Sequence, residues 1–235
     1  MAQANGEDKL NIVPFPEGGG KRGDAPEPPS GAVINLPPAV KAICLTIIVA
    51  YLLELALPYV FGLQRVDDWK YLLSFVVGRY TGDAPFDVFA VISPVTHMFL
   101  HGGMLHLGVN TVSLMAFGAG LEKHLGARRM LVLYFASGLL GALLHGILTS
   151  YTLAPMIGAS GAISGLFGAI IVQMRDMDML GGQKRLMPFV IIWLAASLAF
   201  GLFGMPGAEG VIAWATHVGG FIAGMVLYKP VARMA

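Results

Sequence analysis

The stretch ASGAISGLFGAIIVQMR, residues 159–175, decides the fold of this 235-residue chain. It contains no charged residue before Arg175, and it carries small residues at short intervals. Gly161 and Gly165 have the spacing that lets two membrane helices approach closely. Gly220 and Gly224 repeat that spacing in a second apolar stretch. We therefore expect both stretches to form helices that pack backbone against backbone within a membrane.

The composition of the whole chain agrees with a membrane protein. Hydrophobic residues make up 56% of the chain and charged residues 12%, whereas soluble domains carry about 25% charged residues. The mean hydropathy is +0.70. These values exclude an ordinary soluble enzyme, a disordered regulator and a nucleic-acid-binding protein, and a net charge of +1 predicts no strongly charged partner. The single cysteine, Cys44, excludes an internal disulfide and a CxxC site.

Six stretches meet or approach the roughly 20 apolar residues that cross a bilayer as a helix. They are residues 39–62, 104–124, 128–150, 159–175, 186–204 and 210–228, and residues 63–103 form a long connection between the first two. The sequence therefore predicts an all-α membrane protein. Its domain, residues 38–229, is a bundle of six transmembrane helices with a long outer loop between helices 1 and 2.

The two ends of the chain differ from this domain. Residues 1–37 contain eight charged residues together with many Gly and Pro, a composition that buries too little apolar surface to fold. They are predicted to be a flexible cytoplasmic Pro/Gly-rich tail, and they lack the apolar segment of a cleavable signal peptide. Residues 230–235 are expected to be a short cytoplasmic C-terminus.

The distribution of Lys and Arg predicts the orientation in the membrane. With the N-terminus inside and six alternating helices, the outside segments hold only Arg65, Lys70 and Arg79. The other twelve Lys and Arg residues then lie inside. This asymmetry favours cytoplasmic N- and C-termini.

Four polar side chains lie within the predicted spans at a similar level. His106 and Asn110 are four residues apart and so share one helix face, while Ser160 and His217 lie on the fourth and sixth spans. Counted from the inner helix ends at 1.5 Å per residue, all four lie at heights of about 18–24 Å, nearer the outer face. A shared level suggests a single site that opens outward.

The residue types at this level indicate nucleophilic catalysis. Ser160 needs a base, and His217 is the candidate because the pKa of an unperturbed imidazole lies near neutrality. Ser160 begins a helix between Gly158 and Gly161, where free backbone N–H groups can face an oxyanion. His106 and Asn110 can add side-chain donors. The nearest carboxylate along the chain, Glu209, is eight residues from His217, so we interpret the pair as a Ser–His dyad.

These motifs resemble the rhomboid family of intramembrane serine proteases. The resemblance covers about residues 39–228 and is carried by HGGMLHLGVN at 101–110, GASG at 158–161 and HVGGFIAG at 217–224, in that order on the second, fourth and sixth spans. It implies a rhomboid-like six-helix bundle with Ser160 as nucleophile and His217 as base. It implies an oxyanion hole formed by the Ser160 backbone N–H, His106 and Asn110, with no ATP, metal or other cofactor. It also implies cleavage of single-span transmembrane proteins within the lipid bilayer, near their outer end.

Three positions depart from the family pattern. Many members carry an aromatic residue that stacks on the catalytic histidine, but Ser164 stands there, so Phe167, Trp214 and Ser164 all remain candidates for orienting His217. The family's Trp–Arg pair would fall at residues 92–93, which are Ile and Ser. The Glu-x-Arg motif reads Glu-Lys-His at 122–124. These changes affect supporting contacts more than the dyad.

Several polar residues also permit interpretations other than a protease. His97, His101 and His106 have spacings that permit a metal site but no carboxylate or cysteine joins them, so we expect no metal and assign His97 and His101 to bracing the long loop. Glu54 within the first span indicates either a proton path in a transporter or a carboxylate that is protonated or paired in the bundle, and we expect the second.

A catalytically impaired relative that binds transmembrane helices is the main alternative function. The small core without a targeting peptide favours a bacterial inner membrane, and the sequence does not determine the oligomeric state.

Overall fold

The structure is a computed structural model that describes residues 35–61, 64–149, 153–178, 187–203 and 213–234. Within these ranges the chain is helical apart from short connections and one isolated antiparallel bridge. The tail predicted for residues 1–37 lies almost entirely outside the described residues, as do Lys184, Arg185 and Glu209.

Each of the six predicted stretches contains one long helix. The helices are α1 (Pro38–Phe61), α2 (Gln64–Leu73), α3 (Gly78–Thr81), α4 (Val88–Thr96), α5 (Met104–Leu125), α6 (Ala127–Leu148), α7 (Ser160–Asp176), α8 (Met187–Phe203) and α9 (Trp214–Ala232), with a 3₁₀ turn at His97–Phe99. Three of them, Pro38–Leu57, Met104–Leu125 and Ala127–Leu148, are long and apolar enough to cross a membrane. The helical fold class is therefore confirmed for the part of the chain that the structure describes.

The connection predicted as a long loop is itself largely helical. It contains α2, α3, α4 and the 3₁₀ turn, because its short apolar runs are separated by turns rather than by extended polar sequence. The Asp87 side chain caps α4 by accepting a hydrogen bond from the Ala90 N–H at 3.0 Å. Arg79, which is 3% exposed, donates to the carbonyls of Leu72 and Tyr71 at the end of α2, at 2.8 and 3.1 Å.

Arg79 braces the helical connection, although its charge alone predicted only a position outside the membrane. The family's Trp–Arg pair is replaced here by Ile92 and Ser93, and the Ser93 hydroxyl lies 3.0 Å from the Tyr80 hydroxyl. Arg79 also lies over the Tyr71 ring, with its guanidinium carbon 5.0 Å from the ring centroid. Thus a buried arginine holds this segment together from a different position in the chain.

Polar contacts join the helix ends that lie far from Ser160. The buried carboxylate of Glu122, in the last turn of α5, accepts hydrogen bonds from the N–H groups of Ala39 and Val40 at 2.9 and 2.8 Å. It therefore caps the N-terminus of α1, where the N–H groups of Ala39 and Val40 have no partner inside the helix. At the ends of α7 and α9, Lys229 Nζ lies 3.3 Å from Asp176 Oδ2.

Helices α6, α7 and α9 pack together as the centre of the bundle, α5 packs on α7, and α1 packs on α5. The α7–α9 crossing is a contact of backbones. A methyl group at Gly220 would overlap the carbonyl oxygen of Gly161, and one at Gly224 would overlap that of Gly165. The predicted glycine pairs therefore do lie at one helix crossing, and this crossing sets the distance between the residues at the start of α7 and those on α9.

Candidate active site

Ser160 and His217 lie within hydrogen-bonding distance at the centre of the site. Ser160 is the first residue of α7, and His217 lies in the first turn of α9. The distance from His217 Nε2 to Ser160 Oγ is 2.7 Å. His217 is 8% exposed, so water has little access to this hydrogen bond. With a proton on Nδ1, the ring can accept the hydroxyl proton of Ser160.

The backbone before Ser160 requires glycine. Gly158 has φ of +120°, a conformation that other residues rarely adopt. A Cβ atom there would lie 2.8 Å from His106 Nε2, so a side chain would also collide with this ring. The Gly158 N–H donates to the His97 carbonyl at 2.8 Å. Ala159 offers no capping side chain, so no side chain at this position takes up the first N–H groups of α7.

His106 presents a hydrogen-bond donor to the same region. Its Nδ1 accepts a hydrogen bond from the Gly102 N–H at 3.3 Å. In a neutral imidazole, an accepting Nδ1 means that the proton is on Nε2. Nε2 lies close to the Ser160 hydroxyl region, because a Cβ atom at Gly158 would be 2.8 Å from Nε2 and 3.7 Å from Ser160 Oγ. The local backbone therefore selects the tautomer that can donate to an oxyanion.

Asn110 lies one helical turn beyond His106 on α5 and is 4% exposed. Within the described residues its Nδ2 has no hydrogen-bond partner. A buried amide donor without a partner is unfavourable by about 1–3 kcal/mol. This donor is therefore available to an acceptor that a substrate would bring.

The loop before α7 is held by contacts that the sequence did not indicate. Phe75, which follows α2, and Met156 exchange two backbone hydrogen bonds, at 3.0 and 2.9 Å. The Thr216 hydroxyl, next to His217, donates to Met156 Sδ at 2.9 Å. Because the bridge is formed by main-chain groups, no side-chain motif could have predicted it. Together the bridge and the Thr216 contact join the helical connection, the loop before α7 and α9.

The histidines before α5 have separate roles. His97 Nδ1 lies 3.0 Å from the Ser93 carbonyl, and the His97 backbone holds the loop at Gly158, which fits the expected bracing role. The His101 ring lies 5.1 Å from that of His106, but neither of its nitrogens has a partner within the described residues. Burial lowers the pKa of His101 to about 3, so this ring is neutral near pH 7. No cluster of three metal-ligating side chains occurs among the described residues.

No aromatic ring contacts His217 in the part of the chain that the structure describes. Phe167, one candidate for this role, instead packs against Phe117, Trp193 and Phe221. Ser164 is buried and makes no hydrogen bond to His217. The close crossing of α7 and α9 and the contact of Thr216 with Met156 thus hold His217 beside Ser160. The distant Glu209 lies outside the described residues.

Glu54 has two partners near the C-terminal end of α1. Its Oε2 lies 3.6 Å from Lys70 Nζ of α2, and its Oε1 accepts a hydrogen bond from the His101 N–H at 3.3 Å. This carboxylate is therefore paired, which agrees with the expectation for this residue. No sequence pattern indicates these partners, because Lys70 is 16 residues away and the His101 contact is to the backbone.

The arrangement as a whole has the parts needed for acyl transfer. It combines a hydroxyl beside an imidazole with donors from a helix N-terminus, a histidine and an asparagine. Gly161, Gly220 and Gly224 support it through the helix crossing, and Gly158 gives His106 room beside Ser160.

Comparisons with known proteins identify the family to which this sequence is similar. The family model described as Rhomboid domain matches residues 89–233, which include α5 to α9 and all the residues of the site. RHOMBOID-like protein 5 of Arabidopsis thaliana is 35% identical over 135 residues, which are 57% of this chain and 41% of that protein. Rhomboid protease GluP of Bacillus subtilis is 32% identical over 131 residues, 55% of this chain and 24% of that protein.

A fungal relative gives a similar match. Rhomboid-type serine protease 2 of Emericella nidulans is 34% identical over 155 residues, 64% of this chain and 28% of that protein. The matched region thus spans less than half the length of each of these relatives.

Proposed function

This chain belongs to the rhomboid family, and from that premise we propose that it is an intramembrane serine endopeptidase. Its substrates are single-span transmembrane proteins, which it cuts near the outer face of the membrane with the dyad of Ser160 and His217. The observation that carries this proposal is the 2.7 Å distance between Ser160 Oγ and His217 Nε2 at the N-terminus of a buried helix. Such a contact is what activation of a serine hydroxyl requires.

The proposed reaction begins when Ser160 Oγ attacks the scissile carbonyl carbon and its proton moves to His217 Nε2. The carbonyl oxygen becomes an oxyanion, which accepts hydrogen bonds from the Ser160 N–H, His106 Nε2 and Asn110 Nδ2. His217 then gives its proton to the leaving amine as the peptide bond breaks. A water molecule attacks the acyl-enzyme with His217 again as base, which releases the carboxyl product and restores Ser160.

The proposed substrates must expose a peptide bond that a helix would hide. In a bilayer, backbone groups are normally satisfied within a helix, so the segment at the cut must unwind where the enzyme can supply partners. Residues that tolerate an extended conformation, such as Gly, Ala and Ser, are therefore favoured near the outer boundary. We also propose that six helices cross the membrane, α1 and α5 to α9, with both termini cytoplasmic.

A catalytically impaired protein that binds transmembrane helices is the second candidate function. The observation that favours it is the lack of a stacked ring on His217 among the described residues, together with Ser164 at the position where many relatives are aromatic. A poorly oriented imidazole would leave Ser160 unactivated. The two candidates share a fold and a helix-binding surface, so they differ only in the reactivity of Ser160.

The proposal is tested by substrate cleavage and by labelling on the same preparation. The purified protein is reconstituted in liposomes with a labelled single-span substrate, and a second sample is treated with a fluorophosphonate. We expect one cut near the outer end of the substrate and a covalent label on the peptide that contains Ser160. A helical, fully folded protein that neither cleaves nor takes up the label would contradict the protease and leave the helix-binding function.

Loss of one oxyanion donor is expected to slow the reaction without removing the nucleophile. His106→Ala and Asn110→Ala should each lower kcat by about 10²–10³-fold, the usual effect of removing such a donor. Both variants should bind substrate with little change in KM, because the donors act mainly on the transition state. Steady-state cleavage rates check this. Equal losses in kcat and in substrate binding would argue that these residues serve packing instead.

A further inference from the structure

The Glu54 carboxylate occupies an energetically unfavourable position, which suggests that it has a function. It lies on an apolar helix that can cross a membrane, and its side chain is 12% exposed. Ionisable groups in such helices are costly and usually serve a function. Its two partners come from different segments: the Lys70 ammonium from α2, and the N–H of His101 from the loop before α5.

A short path connects this carboxylate to the proposed oxyanion hole. Glu54 Oε1 accepts from the His101 N–H, and the next N–H in the chain, that of Gly102, donates to His106 Nδ1. The second bond holds the His106 proton on Nε2, the nitrogen beside Gly158. Because the two peptide groups flank the same residue, holding the His101 amide restricts the movement of the amide that selects the His106 tautomer.

We propose that Glu54, held by Lys70, is a positioning residue that fixes the loop at residues 101–103 and thereby the orientation and tautomer of His106. The inference rests on the proposed function for its catalytic consequence, although its structural part does not. Lys70 balances the negative charge of Glu54, since an unpaired buried carboxylate would be strongly unfavourable. His101 is neutral and so does not compete with Lys70 for this charge.

Two double variants separate the role of residue 54 as a hydrogen-bond acceptor for the His101 N–H from its role in the ion pair with Lys70. Glu54→Met/Lys70→Met removes both charges and the acceptor, whereas Glu54→Gln/Lys70→Met removes both charges but keeps a carbonyl oxygen for the His101 N–H. Neither leaves a buried charge unpaired, and replacing a buried ion pair by apolar residues is often tolerated. The two variants differ only in the group at residue 54.

We expect the Met/Met variant to have a kcat about tenfold lower than the wild type, with KM nearly unchanged. Removing an oxyanion donor lowers the rate by about 10²–10³-fold, and a donor that is only misoriented should cause part of that loss. The Gln/Met variant should stay within about threefold, because its amide oxygen still accepts. Nitrogen-15 NMR of histidine-labelled protein should show the His106 proton on Nε2 in the wild type and in the Gln/Met variant. In the Met/Met variant it should show a mixture of tautomers.

Identical kcat values and identical His106 ring spectra in the two double variants would overturn the proposal. The NMR measurement needs no cleavage, so an inactive wild type would contradict the proposed function while leaving the role of Glu54 open to this same test. Hydrogen exchange in the wild type covers the case in which the Met/Met variant does not fold. The His101 amide should exchange far more slowly than an unbonded amide, and exchange at the unbonded rate would also overturn the proposal.

Discussion

Replacing Ser160 or His217 by alanine is expected to abolish cleavage, lowering kcat by about 10⁴-fold or more, because either change removes the whole nucleophilic mechanism. Ser160→Ala leaves no atom to form the acyl-enzyme, and His217→Ala leaves the hydroxyl without a base at 2.7 Å. The effects should not add in the double variant, since the two side chains act as one unit. Initial rates of substrate cleavage in liposomes measure all three variants.

Ser137→Ala is the matched control for this prediction. Ser137 is buried in α6, and its hydroxyl has no hydrogen-bond partner within the described residues. Removing an unpartnered hydroxyl is expected to leave folding and cleavage nearly unchanged. Fluorophosphonate should label this control at the wild-type rate, label His217→Ala very slowly, and not label Ser160→Ala at this position. Cleavage by Ser160→Ala above about one hundredth of the wild-type rate would contradict the dyad.

The helices and the common level of the polar residues could be predicted because both follow from local rules. Apolar runs of helical length predicted α1 and α5 to α9, and a fixed rise per residue predicted that Ser160 and His217 would lie at one height. Their contact then depends on the two helices being neighbours. The spacing of Gly161 with Gly165, and of Gly220 with Gly224, indicated this neighbourhood.

Other features could not be predicted because they depend on main-chain groups or on distant partners. The bridge between Phe75 and Met156 uses only backbone atoms, so any side chains would be compatible with it. The capping of α2 by Arg79 required the turn that brings α3 back to α2. The length of an apolar run identifies membrane spans, and it does not identify short helices such as α2, α3 and α4 within the long loop predicted between helices 1 and 2.

The support of His217 shows how a departure from a motif can be compensated. A stacked ring would fix the imidazole from one side, and the sequence left Phe167, Trp214 and Ser164 as candidates for orienting it. In the structure Phe167 belongs to an aromatic cluster with Trp193 and Phe221 instead. The position of His217 then depends on the α7–α9 crossing, which makes the glycines of that crossing more important for the site.

Gly220→Ala is accordingly expected to impair both the fold and the site. The added methyl group would overlap the Gly161 carbonyl, and neither partner is a side chain that can rotate away. Overpacking of this kind costs about 1–3 kcal/mol, and a misplacement of about 1 Å can lower the rate by about 10²-fold. We therefore expect a lower midpoint of thermal unfolding and a kcat/KM about 10²-fold below the wild type, even where the protein is fully folded.

Gly146→Ala makes the same chemical change at a position away from the α7–α9 crossing. Gly146 lies on α6, and no heavy atom lies within 4 Å of the position that its Cβ would occupy. Since alanine favours a helix over glycine, this control should be as stable as the wild type or slightly more so, with unchanged cleavage. Fluorophosphonate labelling of both variants at a temperature where both are folded separates the two effects of Gly220→Ala. Labelling at the wild-type rate in folded Gly220→Ala would mean that the dyad tolerates the displacement, and that the crossing contributes to stability alone.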